Sequence, residues 1–446
     1  MSNESTIAAP GPPAGWRETP LISVAEPRFS SVDKLTRGSE EPVRLCNYID
    51  VYSHDYITGD LEFMRASATQ PEIDRFGLKI GDVIITKDSE TPDDIGIPTV
   101  VDYAAPDLIC GYHLALLRPD QEKVDPTFLA KQLKHVRVAR YFGQQSNGLT
   151  RYGLPIGAVN NAPLWLPELD EQKAVGKLLR LMDDAIAKTA AVIAKLRQVR
   201  AGLLHDLLTR GIDENGELRD PIGHPELFQP SPLGRIPRAW DIKQLRQVYE
   251  TPSRNGLYKK ASSYGYGHRM IHMPQMFKGV FIDVEDAVRV NIDPQEFQRY
   301  ALREGDLLFA RRSLNLEGAG LCSMVGKLRE PATFESSIVR VRVKPETVMP
   351  RFAVEFLRSP AGYLLRRRFI RQVAVSGVSG DDIAQFLVPC PKPSEQECIL
   401  SMVNVQDNRI RLAEHEAAKL AQVKSGLMND LLTGRVRVPE SIGATA

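Results

Sequence analysis

Residues 171–209 read EQKAVGKLLRLMDDAIAKTAAVIAKLRQVRAGLLHDLLT, and residues 395–433 read EQECILSMVNVQDNRIRLAEHEAAKLAQVKSGLMNDLLT. Aligned with a shift of 224 and no gaps, the two stretches are identical at 15 of 39 positions. An internal repeat is the first feature that a fold assignment has to explain, because each copy marks one structural unit. We therefore interpret the chain as two copies of one unit.

Both copies have the apolar spacing of a long amphipathic helix. In the first copy, two mainly apolar columns recur every seven positions, which is the narrow stripe of a coiled coil. A helix of this length measures about 57 Å, too long for one small core to cover. We predict that the two copies pack against each other; the alternative is two helices in unrelated bundles. The first copy's columns are Val175, Met182, Thr189, Leu196 and Leu203, and Leu178, Ala185, Val192, Val199 and Asp206. The less regular stripe of the second copy is Ile399, Met402, Ile410, Ala413, Ala417, Leu420, Val423, Leu427 and Leu431.

The repeat extends beyond the helices. Trp16 and Trp240 are separated by the same 224 positions, and so are Gly81 and Gly305, each of which is followed by Asp. Each unit is therefore a domain followed by a helix. Short apolar runs behind Gly-Asp predict buried strands, and alternating runs predict half-buried ones. The predicted fold class is α+β, with two similar mixed α/β domains separated by two long antiparallel helices that form a coiled coil.

The elements follow in the same order in both domains. A Gly/Pro/Asp-rich stretch between the units has the composition of a linker or a connector along the surface. The predicted strands are 82–86, 113–118 and 162–167, and 306–310, 337–343 and 383–391; the predicted helical segments are 126–141 and 350–371; the loops are 143–152 and 373–381. The predicted boundaries are 1–15 for a disordered N-terminus, 16–168 for the first domain, 169–210 for the first helix, 211–236 for the linker, 237–392 for the second domain, 393–434 for the second helix and 435–446 for a tail.

Composition describes an ordinary globular chain. The 446 residues, 43% hydrophobic and 25% charged, are enough for two or more domains. Five scattered cysteines without a C-x-x-C pair favour reduced thiols over disulfides or a zinc site. Neither a signal peptide nor an apolar run of about eighteen residues is present, so we expect a cytoplasmic protein without membrane contact. The net charge of +1 does not indicate nucleic-acid binding, which would need local clusters of basic residues.

The sequence lacks the signatures of common catalytic sites. Residues 320–328 come nearest to a nucleotide-binding P-loop, but the spacing is wrong and Leu328 replaces the Mg²⁺-binding hydroxyl. His268 and His272 have no acidic residue between them, as a metalloprotease motif would require. We predict that the chain holds no metal, is not an enzyme on its own, and acts by binding.

Binding residues are expected where the loops of the two domains diverge. Basic and aromatic side chains follow the strand ends, and the 143–152 loop combines amide, hydroxyl and guanidinium groups, which pair with base edges. Any single candidate could equally be a solvated surface residue, but the candidates recur at equivalent places. The candidate DNA-binding residues are Lys87, Gln144, Gln145, Ser146, Asn147, Thr150, Arg151, Tyr152, Tyr258, Lys259, Lys260, Arg311, Arg312, Ser376 and Ser379.

From about residue 16 to 437 the chain resembles the specificity subunit of Type I restriction–modification enzymes. The resemblance rests on residues 42–52 (PVRLCNYIDVY), residues 151–157 (RYGLPIG), the connector from Gly211 to Trp240, and the two helices ending in Leu-Leu-Thr. It implies two target-recognition domains, each reading one half of a split, asymmetric DNA site. It also implies that the two antiparallel helices are a spacer between them.

The resemblance further implies partner chains that dock on the helices. These are two copies of an adenine-N6 methyltransferase subunit and, for cleavage, ATP-driven motor/nuclease subunits. S-adenosylmethionine, ATP and Mg²⁺ would be bound by those partners and not by this chain. The alternative is a coiled-coil scaffold that joins other proteins without binding DNA. The candidate partner-binding residues are Leu178, Met182, Leu196, Leu203, Met402, Ile410, Leu420 and Leu427.

Overall fold

The structure, a computed structural model, describes residues 11–372 and 376–438. The described residues form two compact units, each of which contains one domain and a part of both long helices. The first unit contains those of 1–192 and 413–446, and the second contains those of 193–412. Most of the predicted disordered N-terminus and of the predicted tail lies outside the described residues. In the part of the chain that is described, no helix is both long and apolar enough to span a bilayer.

The first unit is built around a five-stranded sheet. Adjacent strands are antiparallel except for the last pair, which is parallel. Ile84 faces one core and Ile85 faces another, so both faces of the sheet are buried. Burial on both faces explains why the central strand is a continuous apolar run and not an alternating one. The strand order is Ala25–Phe29, Leu114–Pro119, Val83–Thr86, Pro98–Val101 and Tyr56–Ile57.

Smaller sheets and short helices complete the first unit. A three-stranded sheet consists of Met64–Ala68, Glu41–Cys46 and Leu108–Cys110, and two-stranded pairs join Arg17–Pro20 to Pro163–Leu166 and Asp88–Ser89 to Tyr152–Gly153. The short helices are Tyr48–Ser53, Gln70–Phe76, Pro126–Lys134, Val136–Gln145 and Ile156–Asn160, with 3₁₀ turns at Leu21–Ser23 and Pro92–Asp94.

The second unit repeats this architecture. Its five-stranded sheet has the order Tyr249–Asn255, Ile338–Val343, Leu307–Ala310, Cys322–Val325 and Phe281–Ile282. Its smaller sheets are Val288–Val290, Tyr264–Ile271 and Ala332–Phe334; Arg312–Ser313, Ser376–Gly377 and Arg371–Gln372; Asp241–Gln244 and Leu387–Cys390; and Phe228–Ser231 and Gly234–Pro237. Its short helices are Met273–Met276, Pro294–Tyr300, Pro350–Arg358, Pro360–Arg367 and Gly380–Ala384, with 3₁₀ turns at Pro225–Leu227, Leu245–Val248 and Ala261–Ser263.

Equivalent glutamines anchor each domain to the start of its long helix. The Gln172 side chain accepts a hydrogen bond from Asp125 N at 3.1 Å and donates to the Pro167 carbonyl at 2.9 Å. Gln396 accepts from Met349 N at 2.7 Å and donates to the Pro391 carbonyl at 2.8 Å. Both amides are buried, and each satisfies backbone groups that water cannot reach. The 224-residue repeat is therefore a repeat of contacts as well as of sequence.

The two long helices pair antiparallel, as predicted, and they do so in each unit. They span Leu169–Thr209 and Pro393–Leu431. In the first unit, Val175 near the start of one helix shares a core with Leu431 at the end of the other. In the second unit, Leu207 shares a core with Ile399. Glycines just past both ends, Gly211 and Gly434, have φ of 62° and 63°, a left-handed conformation that few other residues adopt.

The predicted coiled-coil stripe is wrong at three positions. Val192 and Val199 are about half exposed, whereas the next residues, Ile193 and Arg200, turn inward. In the second helix Val423 is likewise exposed. Val192 and Ile193 are both apolar, so the sequence does not show which of the two faces inward. At the next layer the inward residue is Arg200, which interrupts the apolar pattern of the stripe. The inward positions of the first helix are Met182, Ile186, Thr189, Ile193, Leu196, Arg200, Leu203 and Leu207, and those of the second are Ile399, Val403, Gln406, Ile410, Ala413, Ala417, Leu420, Lys424, Leu427 and Leu431.

The predicted helical segments 126–141 and 350–371 are each two helices. The break falls at His135 in the first unit and at Ser359 in the second, both with extended backbone. Ser359 precedes a proline, which disfavours helical backbone at that residue. In addition, the predicted strand 383–391 begins only at Leu387, because the preceding residues form the short helix Gly380–Ala384.

A carboxylate of the first domain lies against three lysines. Asp55 binds Lys131 at 3.1 Å and Lys424 at 3.2 Å, and it also pairs with Lys134. Burial raises the pKa of the Asp55 carboxyl, but the lysines more than offset this, so the pKa lies well below its ordinary value. A carboxyl with a depressed pKa contributes stability above its unfolded-state pKa and loses it as the pH falls towards the folded-state pKa.

We expect acid to destabilise the first unit through Asp55. Between pH 5 and pH 3 the free energy of unfolding should fall in the parent chain and fall less steeply in Asp55→Asn, which lacks the titrating group. Denaturation of a Trp240→Phe background, followed by the fluorescence of Trp16 and Trp165, reports on the first unit. Glu62→Gln, on an exposed side chain, is the matched control. Equal pH slopes for Asp55→Asn and its parent would contradict the assignment.

Candidate nucleic-acid interface

In the first unit, two separate stretches of sequence meet at one end of the five-stranded sheet. Strand Asp88–Ser89 pairs antiparallel with strand Tyr152–Gly153. Asn147 N donates to the Gly153 carbonyl at 3.0 Å, and the reciprocal bond is 2.9 Å long. These bonds fold part of the predicted 143–152 loop into a hairpin. The strand end and the loop, predicted as separate candidates, therefore form one surface.

The tip of this hairpin presents free polar groups to solvent. Leu149 at the tip is 97% exposed. Among the described residues, the Arg151 guanidinium makes no hydrogen bond and no ion pair, so its donors remain available. The Ser146 hydroxyl, in contrast, donates to the Gly143 carbonyl at 2.8 Å and closes the end of a helix. Exposed guanidinium and amide groups fit base edges and phosphates. The exposed predicted residues are Gln144, Gln145, Asn147, Thr150 and Arg151, and Tyr152 is half-buried.

Lys87 directly precedes strand Asp88–Ser89 of this surface, and its side chain contacts other residues of the first domain. Its Nζ donates to the Ser30 carbonyl at 3.2 Å and lies 5.5 Å from the centroid of the Phe29 ring. The adjacent Asp88 carboxylate binds His113 Nδ1 at 2.8 Å. The Lys87 ammonium is thus held inside the domain, and its contact with DNA stays a prediction.

Two tyrosines beside the hairpin are not among the predicted residues. The rings of Tyr48 and Tyr52 stack with centroids 5.5 Å apart, and the Tyr52 hydroxyl donates to Asp94 at 2.7 Å. Burial raises the pKa of the Tyr48 hydroxyl, and a hydrogen bond with Ser89 opposes that rise. Their spacing of four residues on one helix, which places both rings on one face, is the sequence signal that reveals them.

The equivalent surface of the second unit is strongly basic. Strand Ser376–Gly377 pairs on one side with Arg312–Ser313 and on the other with Arg371–Gln372. Arg311 belongs to the same surface because its carbonyl accepts a hydrogen bond from Val378 N at 3.0 Å. Three guanidinium groups, two from adjacent residues and one from about 60 residues further along the chain, therefore line one cavity of about 370 Å³.

Charge in this cavity is incompletely neutralised. In the described part of the chain, the side chains of Arg311 and Arg312 have no ion pair and no hydrogen bond. Arg371 lies 3.6 Å from the Asp382 carboxylate, a loose pair. Three arginines against one carboxylate leave a net positive site, as phosphate recognition requires. Arg371 is absent from the predicted set because it is the last residue of the predicted helical segment 350–371.

A second, apolar cavity adjoins the arginine cavity and shares Arg312 with it. Its volume is about 660 Å³, and Phe277, Leu314 and Leu321 are among the residues that line it. Leu314 is 94% exposed. At the shift of 224, Arg312 and Leu314 correspond to Asp88 and Glu90 of the first unit, so the two surfaces differ in chemistry although their scaffolds agree.

Two predicted serines of the second unit have structural roles. Ser379 caps the helix Gly380–Ala384, since its hydroxyl donates to Asp382 Oδ2 at 2.7 Å and accepts from Asp382 N at 3.1 Å. Ser376 is buried within the strand pairs. The Ser379 hydroxyl is already engaged by Asp382, and Ser376 is a buried residue, so the structure does not favour them as base contacts. A role in binding stays a prediction.

The run Tyr258–Lys260 lies beyond the same end of the second sheet as Arg311. Asn255, just before the run, pairs with Val339, which also pairs with the strand that leads into Arg311. Tyr258 is 79% exposed and Lys260 is exposed, whereas Lys259 pairs with Glu296. Tyr258 and Lys260 are thus available to a ligand.

The predicted partner-binding residues lie on the inward side of the long helices and are partly buried there. This placement makes them part of the seam between the helices, because an outward surface would leave them exposed. The apolar residues that do face outward are Leu181, Val192 and Val199 on the first helix and Val405, Leu412 and Val423 on the second. Partner binding by the predicted set, Leu178, Met182, Leu196, Leu203, Met402, Ile410, Leu420 and Leu427, stays a prediction.

Comparison with known proteins yields one consistent class. The putative Type I restriction enzyme MjaX specificity subunit of Methanocaldococcus jannaschii is 21% identical over 379 residues, which are 83% of this chain and 81% of that protein. This chain is similar to Type I specificity subunits. The MjaVIII specificity subunit of the same organism is 24% identical over 292 residues, 62% of this chain and 63% of that protein. No protein-family model matches the sequence.

The fold of a solved specificity subunit agrees with this relationship. The S subunit of a Type I restriction–modification system from M. genitalium aligns with 93% of this chain and 96% of its own length, with a TM-score of 0.53 and 14% identity. The expected resemblance to Type I specificity subunits and the expected fold class are both confirmed. At 14% identity this likeness shows a shared fold.

Proposed function

We propose that this chain is the DNA-reading subunit of a Type I restriction–modification complex. Each domain reads one half of a bipartite, asymmetric site. One observation carries the proposal: two copies of one scaffold end in different binding surfaces, a polar hairpin around Arg151 and a cavity lined by Arg311, Arg312 and Arg371. A common scaffold with unlike loops is what two readers of unlike half-sites require.

Partner chains supply the chemistry in this proposal. The sequence holds no motif for phosphoryl or methyl transfer, and the related proteins are named specificity subunits. We infer that two adenine methyltransferase subunits and the motor/nuclease subunits bind the helices, and that S-adenosylmethionine, ATP and Mg²⁺ reside on those partners. A methyltransferase has to flip its adenine from the stack, and the reading domain determines which adenine is presented. The complex acts in the cytoplasm, where it meets DNA.

A near-neutral chain is compatible with this role. Specific binding needs phosphate contacts for affinity and base contacts for selectivity, and the two can reside on different subunits. With a net charge of +1, this chain supplies local basic sites and not a uniformly basic surface. The partner subunits then supply much of the sequence-independent affinity for phosphates.

Gel-shift titration of the chain with its methyltransferase partner tests the proposal. Pools of random duplexes should yield one preferred split sequence, and the affinity for it should fall steeply as the salt concentration rises. Indifference to DNA at low salt, with the complex still assembled, would instead favour a coiled-coil scaffold.

Arg151→Ala should reduce the discrimination between bases in one half-site only. Removing a guanidinium that contacts base edges costs about 1–3 kcal/mol of discrimination at the contacted position. We expect methylation assays on single-base variants of the site to lose about tenfold or more selectivity within the first half-site, with the second half-site unchanged. Arg65→Ala, on an exposed arginine of the same domain, is the control. Unchanged discrimination at every position would remove Arg151 from the interface.

A further inference from the structure

Four side chains of alternating charge close a ring in the first unit. Lys131 of the domain binds Asp183 of the first long helix at 2.6 Å, and Asp183 pairs with Lys424 of the second long helix. Lys424 binds Asp55 of the domain at 3.2 Å, and Asp55 returns to Lys131 at 3.1 Å. Each charge thus has two opposite neighbours, and the ring joins the domain to both helices.

The second unit contains a ring of the same kind. Glu355 of the domain binds Arg200 of the first long helix at 2.8 Å, and Arg200 pairs with Asp407 of the second. Asp407 binds Arg351 of the domain at 2.8 Å, and Arg351 returns to Glu355 at 2.5 Å. The Glu355 side chain is 2% exposed, so this ring, like the first, is largely shielded from solvent.

The helix members of the two rings are equivalent in the repeat. Asp183 corresponds to Asp407, and Arg200 to Lys424, at the shift of 224. The domain members are not conserved in this way, since Lys131 corresponds to Glu355, a reversal of charge. In both units, however, a domain cation contacts the aspartate of the helix that follows that domain, and a domain anion contacts the cation of the other helix. The pattern of ion pairs is therefore the same in both units, although Lys131 and its counterpart Glu355 carry opposite charges.

The ring cations occupy inward positions of the helix stripe. Arg200 and Lys424 stand where a coiled coil ordinarily has apolar residues, while the neighbouring Val199 and Val423 face outward. A purely apolar seam tolerates sliding by a heptad because one apolar layer replaces another, whereas a polar residue in the seam specifies a single register. In some proteins, buried charged networks contribute more to a defined arrangement than to stability.

We propose that the two charge rings fix the register of the long helices and the position of each domain on them. If the chain has the proposed function, on which this part of the inference rests, the rings also set the gap between the two half-sites. Sliding by one heptad displaces the helices by about 10.5 Å, which corresponds to about 3 base pairs of B-DNA. Asp183, Lys424, Arg200 and Asp407 are positioning residues, since they touch no DNA themselves.

Replacing the helix residues of a ring by leucine removes its effect on register without leaving an unpaired charge. Asp183→Leu with Lys424→Leu leaves Lys131 and Asp55 to pair with each other, and Arg200→Leu with Asp407→Leu leaves Glu355 and Arg351 paired. Tyr56→Phe accompanies the first pair, because the Tyr56 hydroxyl donates to Asp183 at 2.8 Å. An apolar replacement of a complete buried pair is often neutral or stabilising, so the variant should fold. Val199→Leu with Val423→Leu adds apolar bulk next to intact rings and is the matched control.

The first readout is methylation, with the partner subunits, of duplexes whose gap is the natural one or differs by 3 base pairs. The parent and the control should strongly prefer the natural gap, and the variant with both rings replaced should lose about tenfold of that preference. The variant with one ring replaced should retain more of it. Equal loss of methylation at all gaps, with the preference preserved, would assign the rings a structural role only and overturn the proposal.

The second readout needs no DNA and therefore stands if the proposed function fails. Spin labels at Lys188→Cys and Ala418→Cys, in a Cys398→Ser background that removes the exposed thiol, report the register of the helices in the first unit. The parent should give one distance, and the variant with both rings replaced should give at least two. A single unchanged distance in that variant would also overturn the proposal, whatever the chain binds.

Discussion

Glu355→Gln should destabilise the second unit by about 3 kcal/mol or more, the usual effect of removing one partner from a buried ion pair. The substitution keeps the shape of the side chain but leaves Arg200 and Arg351 with only Asp407, which is 34% exposed. Two half-buried cations then share one partly hydrated carboxylate. Denaturant titration, followed by the fluorescence of Trp240 in a chain with Trp16→Phe and Trp165→Phe, reports on this unit.

Glu346→Gln, on an exposed carboxylate of the same domain, should change the free energy of unfolding by less than about 0.5 kcal/mol. The contrast with the leucine variants described above is informative. Removing one member of a ring leaves charges unpaired, whereas replacing both helix members does not. If Glu355→Gln behaved like Glu346→Gln, the second ring would be a weak surface contact and its positioning role would fail with it.

Replacing Arg311, Arg312 and Arg371 by alanine should lower the affinity for the specific duplex by about a hundredfold at moderate salt. If each guanidinium contacts a phosphate, the slope of log affinity against log salt should become shallower by about 2–3. The loss arises because these guanidinium groups are brought together in one cavity with a single carboxylate. Binding measured across a salt series, with the methyltransferase partner present, gives both quantities.

A matched triple variant removes the same charge from the opposite end of the same sheet. Arg303, Lys327 and Arg329 are exposed and lie beyond the start of the strand that ends at Ala310. Replacing these three by alanine should leave the affinity within about threefold of the parent and the salt slope unchanged. Equal effects of the two triple variants would mean that net charge, and not the arginine cavity, governs binding.

The architecture was predictable because the repeat is legible in the sequence. The buried strands at 83–86 and 307–310 follow Gly-Asp pairs whose glycines adopt φ of 87° and 86°, so one short motif marks a turn and a strand in both domains. A shift that stays constant across domain and helix already implied two like units. Pairing of the long helices then followed from their length, since each needs a partner for its apolar stripe.

The charge rings were not predictable from apolar spacing. Arg200 and Lys424 turn inward because their charges are met by residues distant in the sequence, such as Glu355 and Asp55. A search for apolar columns assigns charged residues to the surface and therefore selected the outward Val199. Only tertiary pairing, which depends on the whole domain, distinguishes the two positions.

The grouping of the candidate residues in space was partly predictable from the sequence. The predicted strand ends and glycine-rich loops lie close together at one end of each sheet, and Arg311 and Arg312 line a cavity there. Binding of DNA at this end stays a prediction. Ser379 was chosen as a hydrogen-bonding group, yet the same property makes it a helix cap. Arg371 could not be assigned from local sequence, because its strand forms only by pairing with Ser376–Gly377.

The central claim is that one chain reads two unlike half-sites at a fixed spacing. Methylome sequencing of a host carrying the complete system, compared with a strain in which only this gene is deleted, tests the claim directly. We expect one asymmetric, bipartite adenine-methylation motif with a single gap length to disappear on deletion. An unchanged methylome, or loss of a contiguous palindromic motif, would contradict the account.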